Sequence, residues 1–130
     1  MDDRVIVQMF LDRDEDAIAE AASFIEEKWG KRYQNSRHFK TKGNAQDAHE
    51  AIRPSDVRLT PEDIRKDLTA EQYRLYKLIW SRFLACQMAN AVYDSVAVEV
   101  EAGAHSFRAS SSSLKFSGYT AVYEEARDDD

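Results

Sequence analysis

Residues 69–90, TAEQYRLYKLIWSRFLACQMAN, decide the fold of this chain. Thr69 and Gln72 form a capping box, in which each side chain is placed to bond the other residue's backbone N–H. An apolar surface follows at helical spacing. Its members are Leu75, Tyr76, Leu78, Ile79, Trp80, Phe83, Gln87 and Met88. The pattern predicts a helix to about Asn90, and so wide an apolar surface predicts cover on more than one side.

The segments before this helix predict a strand and further helices. Residues 4–11 are rich in β-branched and apolar types, which favours a short buried strand. Acidic residues then mark a helix start, and the apolar spacing predicts a helix over 14–29 that Gly30 ends. Residues 31–43 are basic and polar, which is typical of a loop.

Two short helices are predicted between this loop and Thr69. Asn44 can cap a helix over 45–52, which Pro54 ends because the residue before a proline is disfavoured in the α region. Thr60 followed by a proline at the first helical position predicts a second helix to about Asp67.

After Ala91 the apolar period changes to two, which predicts strands. Alternating valines at 96, 98 and 100 indicate a half-buried strand. A turn at 102–104 leads to a second strand at 106–110, and 114–123 predicts a third that Gly118 interrupts. A sheet of only two or three strands is barely stable alone, so another element must pack against it. That element is either the long helix or further strands of a larger protein.

The predicted fold class is α+β, mainly α. We divide the chain into a helical domain over residues 1–92, a β segment over 93–123 and an acidic tail over 124–130.

Composition narrows the class of protein. The chain has 130 residues, 43% of them hydrophobic, so one domain with a modest core is expected. No apolar run approaches the roughly 20 residues of a membrane helix, and the acidic start argues against a signal peptide. Cys86 is the single cysteine, expected to be a buried core thiol. These features predict a cytoplasmic protein without membrane contact.

The charge is unevenly distributed. A formal net charge of −6 is not typical of an independent nucleic-acid binder. Residues 28–42, however, contain six Lys or Arg, one His and no acid. Such a stretch could contact phosphates, and a solvated loop is an equally good interpretation from composition alone.

No metal site is predicted. His38, His49, His105 and Cys86 include no pair at the spacing of zinc ligands. The alternating acids of 12–16 lack the glycine and the distal glutamate of a calcium loop, so a helix start is the better interpretation.

The string AQDAHEAIRPSDV at residues 45–57 carries the most specific chemistry. His49 and Arg53 are four residues apart and share one face of the predicted helix. Arginine can bind a phosphodiester through a planar pair of donors, and histidine adds a donor whose charge changes near neutral pH. From residue types alone, an ordinary surface pair remains open.

This string closely resembles a segment of the type IA DNA topoisomerases. Further along, residues 75–88 resemble the family's LYxLIWxRFxAxQM helix, and 93–96, 107–109 and 114–119 resemble the strands that follow it. The motifs occur in the right order and cover about residues 14–123. The resemblance implies a segment that holds the nucleophile-bearing helical domain and strands of the adjoining gate domain.

In the family, the histidine of this string contacts the DNA phosphate and supports cleavage. The resemblance therefore implies that role for His49, and phosphate contact for His49 and Arg53. It also implies a tyrosine nucleophile in an ITYMRTDS segment, where this chain has IVQMFLDR at residues 6–13. Gln8 occupies the tyrosine position, and a carboxamide cannot form a phosphotyrosyl link. The family's magnesium is bound by a domain that this chain lacks, so no cofactor is expected.

We predict a fragment or truncated homologue of a type IA DNA topoisomerase that is inactive alone and whose partner is single-stranded DNA, bound weakly or only together with the rest of the enzyme. The alternative is a non-catalytic module that binds single-stranded DNA or a protein through residues 28–42 and the face of His49 and Arg53. A third alternative is an oligomer that completes the thin sheet.

Overall fold

A computed structural model describes residues 3–37 and 52–123, with side chains from residue 15 onward. Three helices and a two-stranded antiparallel sheet occur in these ranges. They are α1 (Asp3–Trp29), α2 (Pro61–Ile64), α3 (Ala70–Cys86), β1 (Val92–Ala102) and β2 (His105–Phe116), with 3-10 turns at Lys31–Tyr33, Arg65–Asp67 and Gly118–Ala121. This architecture confirms the α+β, mainly α class. None of the described helices is long and apolar enough to cross a membrane.

Helix α1 replaces the strand that we predicted over residues 4–11. One continuous helix runs from Asp3 to Trp29. The β-branched run is only three residues long, at 5–7, and the residues that follow it include good helix formers with no Gly or Pro before Gly30. The predicted end of the helix is confirmed, because Gly30 has a positive φ of 97° and its N–H donates to Glu26 O at 3.0 Å.

Helix α3 begins as predicted and ends early. Thr69 Oγ1 accepts from the Gln72 N–H at 3.2 Å, and Gln72 Oε1 accepts from the Thr69 N–H at 3.0 Å. The helix stops at Cys86 rather than near Asn90, because Met88 instead forms an antiparallel bridge with Gln34. The short α2 helix is confirmed, with Thr60 as its cap.

Two expectations about the surface of α3 were wrong. Leu75 is 59% exposed and Leu78 is 47% exposed, so the described residues cover this helix on one side only. Cys86 is exposed and is not a core thiol. The helical period places it away from the buried face, which passes through Trp80 and Leu84.

The core forms where α1, the segment at Val57 and α3 meet. Its buried members are Ala21, Phe24, Ile25, Val57, Trp80, Leu84 and Met88. The rings of Phe24 and Trp80 meet edge to face with centroids 6.0 Å apart. The buried face of α1, which passes through Ala21, Phe24 and Ile25, therefore packs on the buried face of α3 at Trp80 and Leu84.

The two strands form one long hairpin that turns at Gly103. Every residue of β1 is exposed, and so is every residue of β2 before Phe116. The half-buried strand that we predicted is therefore uncovered within the described part of the chain. Opposite residues share a face, so Val96, Val98 and Val100 lie with Ser111, Ala109 and Phe107.

The third strand that we predicted is absent from the described residues. The 114–116 portion continues β2, and residues 118–121 form a 3-10 turn. Gly118, at a φ of +50°, lies against the backbone of Ala89 and Asn90, and the Tyr119 N–H donates to Ala89 O at 2.9 Å. The chain thus docks onto the segment after α3 instead of pairing as a strand.

Candidate nucleic-acid interface

The structure describes only part of the predicted site. His49 and the predicted helix over 45–52, apart from Ile52, lie outside the described residues, as does the tail over 124–130. Gln8 lies in α1, and its side chain is not described. Arg53 is half-buried, and its Nη1 donates to Pro54 O at 3.4 Å. The pairing of His49 with Arg53 on one face stays a prediction.

The segment that follows Arg53 is fixed to the helices. Trp80 Nε1 donates to the Val57 carbonyl at 2.8 Å, and the Tyr76 hydroxyl donates to Leu59 O at 2.6 Å. Arg58 donates two hydrogen bonds, of 2.8 and 2.9 Å, to the carboxylate of Glu27 on α1. The backbone on the C-terminal side of the AQDAHEAIRP string therefore has a defined place against α1 and α3.

Neighbouring groups shift the pKa values of a carboxylate, a guanidinium and a phenol along this segment. The hydrogen bonds from Arg58, together with its charge, lower the pKa of Glu27 against an opposing effect of burial. The same contact raises the pKa of Arg58. Partial burial, followed by the nearby charge of Asp56, raises the pKa of Tyr76, so its hydroxyl stays protonated and able to donate.

The other described flank, residues 33–37, is fixed to the end of α3. The Ala89 N–H donates to Tyr33 O at 2.7 Å, and the Asn35 N–H donates to Gln87 O at 3.0 Å. The buried amide of Gln87 accepts from the Arg37 N–H at 2.9 Å and donates to Arg37 O at 3.4 Å. The Gln87 side chain therefore extends the backbone hydrogen bonding between the two segments. Both described flanks of residues 38–51 are thus fixed to α3 or to the segment that follows it.

The same contacts hold the guanidinium of Arg37. Its Nη2 donates to Met88 O at 3.3 Å and to Asn90 Oδ1 at 2.6 Å. Both acceptors are neutral. Among the residues that the structure describes, Arg37 forms no ion pair with a carboxylate. A guanidinium held in this way keeps its charge and is partly immobilised before any ligand arrives.

A second arginine lies nearby on an aromatic ring. The guanidinium carbon of Arg32 is 4.1 Å from the centroid of the Phe116 ring, and the Tyr33 ring lies 4.6 Å from the same centroid. The Tyr33 hydroxyl bonds Ser117 Oγ at 2.9 Å. The end of β2 therefore packs against the segment that carries Arg32 and Arg37. Aromatic rings lie beside a cation at this junction.

Sequence reasoning pointed to the basic stretch over 28–42 without singling out Arg37, and it placed Gln87 on an apolar face. The available signal was a glutamine at a buried helical position, where an amide needs partners. Asn90 gave no signal, because its contact with Arg37 joins residues 53 positions apart. Among the described residues, no group of three His, Cys, Asp or Glu side chains could hold a metal ion.

The fold and this surface define a helical α+β unit that presents arginines against aromatic rings at the junction of its hairpin. The sequence model of a family described as DNA topoisomerase matches residues 10–130. The chain belongs to this DNA topoisomerase family, which confirms the family that the sequence motifs indicated. Gln8 precedes the matched residues, so its correspondence to the nucleophilic tyrosine stays a prediction.

Proposed function

We propose that this chain is a fragment or truncated homologue of a type IA DNA topoisomerase and that it binds single-stranded DNA. The family match over residues 10–130 carries the proposal. In the parent reaction, a tyrosine oxygen attacks a phosphodiester, one strand passes through the break, and the break reseals. His49 and Arg53 are assigned to phosphate contact by the match of their motif.

The chain alone is proposed to be inactive in relaxation. A carboxamide at Gln8 cannot become the phosphotyrosyl ester that covalent cleavage requires. As the family resemblance implies, we assign magnesium to a domain other than the one that residues 10–130 match.

The hairpin supports the idea of a partial gate domain. Val96 is 61% exposed, Val100 is 54% exposed and Phe107 is 62% exposed, all on one face. Contiguous apolar surface of this kind normally marks a face that another element covers. We infer that further strands of a longer protein cover it.

A plasmid-relaxation assay tests the catalytic part. The purified 130-residue protein, incubated with negatively supercoiled plasmid and magnesium, is expected to leave the topoisomer distribution unchanged. Relaxation that disappears in His49→Ala would contradict the proposal. A salt-dependent shift of a single-stranded oligonucleotide tests the binding part, and the absence of a shift at low salt would contradict it.

The second candidate function is a non-catalytic module that binds a protein or a second copy of itself. The exposed face of the hairpin favours this candidate. Sizing chromatography at several concentrations separates the cases, because self-association predicts an apparent mass that rises with concentration. The double variant Val98→Thr, Phe107→Ser should abolish that rise, while its stability should change by no more than about 0.5 kcal/mol for each exposed substitution.

A further inference from the structure

We propose that Arg37, oriented by Asn90, is a phosphate-binding residue for a single-stranded nucleic-acid backbone. The inference rests on the proposed binding of single-stranded DNA and names a residue outside the AQDAHEAIRP string. The main support is the 2.6 Å hydrogen bond from Arg37 Nη2 to the neutral amide oxygen of Asn90. That bond positions the cation without neutralising it.

Geometry distinguishes Arg37 from Arg58 and Arg65, whose charges face carboxylates. The charge of Arg58 is paired with that of Glu27 through two hydrogen bonds. Arg65 Nη1 lies 3.9 Å from Glu62 Oε2. Arg37 is bonded through its backbone N–H to Gln87, and through Nη2 to Met88 O and Asn90 Oδ1. A guanidinium has five N–H donors in a planar fork, so these contacts leave donors for a phosphate.

The surroundings fit a nucleic-acid strand better than a free anion. Arg32 lies over the Phe116 ring close to the same junction, and Tyr119, whose N–H donates to Ala89 O, is 37% exposed. Phe116 is itself buried beneath Arg32, so Tyr119 is the exposed ring at this junction on which a base could stack beside the cations.

The test uses Asn90→Asp, which exchanges an amide oxygen for a carboxylate oxygen of nearly the same shape. The hydrogen bond to Arg37 is retained, and the charge of Arg37 is now paired. The matched control is Gln72→Glu, the same amide-to-acid change at the opposite end of α3, about 25 Å away for a helix of this length. A glutamate also suits the capping box, so the control should fold normally.

The measurement is fluorescence anisotropy of a labelled oligothymidylate with the full 130-residue chain over a range of KCl concentrations. For Asn90→Asp we expect binding at least about threefold weaker at low salt, and a slope of log K against log salt that is shallower by about 0.7, the value for one lost phosphate contact. Gln72→Glu should match the wild type in slope and affinity. The melting temperature of Asn90→Asp should equal or exceed that of the wild type.

Arg37→Gln supplies a second variant, which removes the charge directly and should show the same change in slope. Unchanged binding in Asn90→Asp and Arg37→Gln would overturn the inference while leaving the proposed DNA binding intact. Equal weakening in Asn90→Asp and Gln72→Glu would also overturn it, because the effect would then reflect net charge. A wild-type chain that binds no oligonucleotide would overturn both.

Discussion

The indole Nε1 of Trp80 donates a hydrogen bond of 2.8 Å to the backbone carbonyl of Val57. Both residues are buried, at 6% and 3% exposure. The bond joins the middle of α3 to the segment that follows Arg53 and Pro54. It therefore determines where the backbone at the end of the AQDAHEAIRP string lies, although neither residue carries any of the predicted chemistry.

Trp80→Phe should destabilise the chain, because the Val57 carbonyl would stay buried without its donor. The expected loss in the free energy of unfolding is about 1–3 kcal/mol from the unsatisfied acceptor, with a further loss from the smaller ring. Urea denaturation measures it. The control is Trp29→Phe, since Trp29 is half-buried and packs edge to face on Phe24 without an indole hydrogen bond in the described part of the chain. Equal losses in the two variants would contradict the assigned role of the bond.

Gln87→Ala should release the flank that carries Arg37. The variant removes the acceptor for the Arg37 N–H and the donor to Arg37 O at a buried position. The expected loss is about 1–3 kcal/mol for each partner that stays buried and unsatisfied, and less where water reaches the site. Gln34→Ala is the control, because its side chain bonds only the nearby Ser36 hydroxyl within the described residues. A Gln87→Ala variant as stable as Gln34→Ala would show that this amide does not hold the flank.

Local patterns were predictable from the sequence, and long-range contacts were not. The capping box at Thr69 and the stop at Gly30 depend on neighbours within four residues, and both were found as predicted. The strand expected over 4–11 failed because three β-branched residues could not outweigh a long uninterrupted helical stretch. The strand expected at 119–123 failed because Gly118 docks on Ala89 and Asn90, a contact that no local pattern announces.

The residues of the candidate site also fall into two groups, those that a local sequence pattern predicts and those that only long-range contacts reveal. The string with His49 and Arg53 was identified by its order of residues, which a reader can see without a structure. Arg37 became notable only through Gln87 and Asn90, which lie 50 and 53 residues further along the chain. The bridge between Gln34 and Met88 that brings them together also explains why α3 ends at Cys86.

The Glu27–Arg58 pair should make stability depend on pH in the acid range. Because the folded state lowers the pKa of Glu27 below its ordinary value, the pair stabilises the fold above that ordinary value. The contribution is lost as the pH falls through the lowered folded pKa. The difference in melting temperature between wild type and Glu27→Gln should therefore be largest near neutral pH, fall once the pH drops below the ordinary glutamate pKa, and vanish below the lowered folded pKa.

Thermal melts of both proteins across this range provide the measurement. The pair is well exposed, so the difference should be modest and should shrink in about 1 M salt, where the Debye length falls to about 3 Å. Glu26→Gln serves as the control, because Glu26 is exposed and its side chain forms no ion pair among the described residues. A wild-type advantage that grows in acid would have the wrong sign for this contact.

Gly118→Ala should be the most damaging of the glycine substitutions in the described chain. A Cβ at this position would overlap the backbone of Ala89 and Asn90, which cannot rotate away as a flexible side chain could. Gly103→Ala is the matched control, because Gly103 also has a positive φ, +61°, and has open space around it. The control should lose about 1–2 kcal/mol from left-handed backbone strain alone, whereas Gly118→Ala should lose about 1–3 kcal/mol more from overpacking. Urea denaturation of both variants measures the difference, and equal losses would show that the hairpin end is not pressed against the segment after α3.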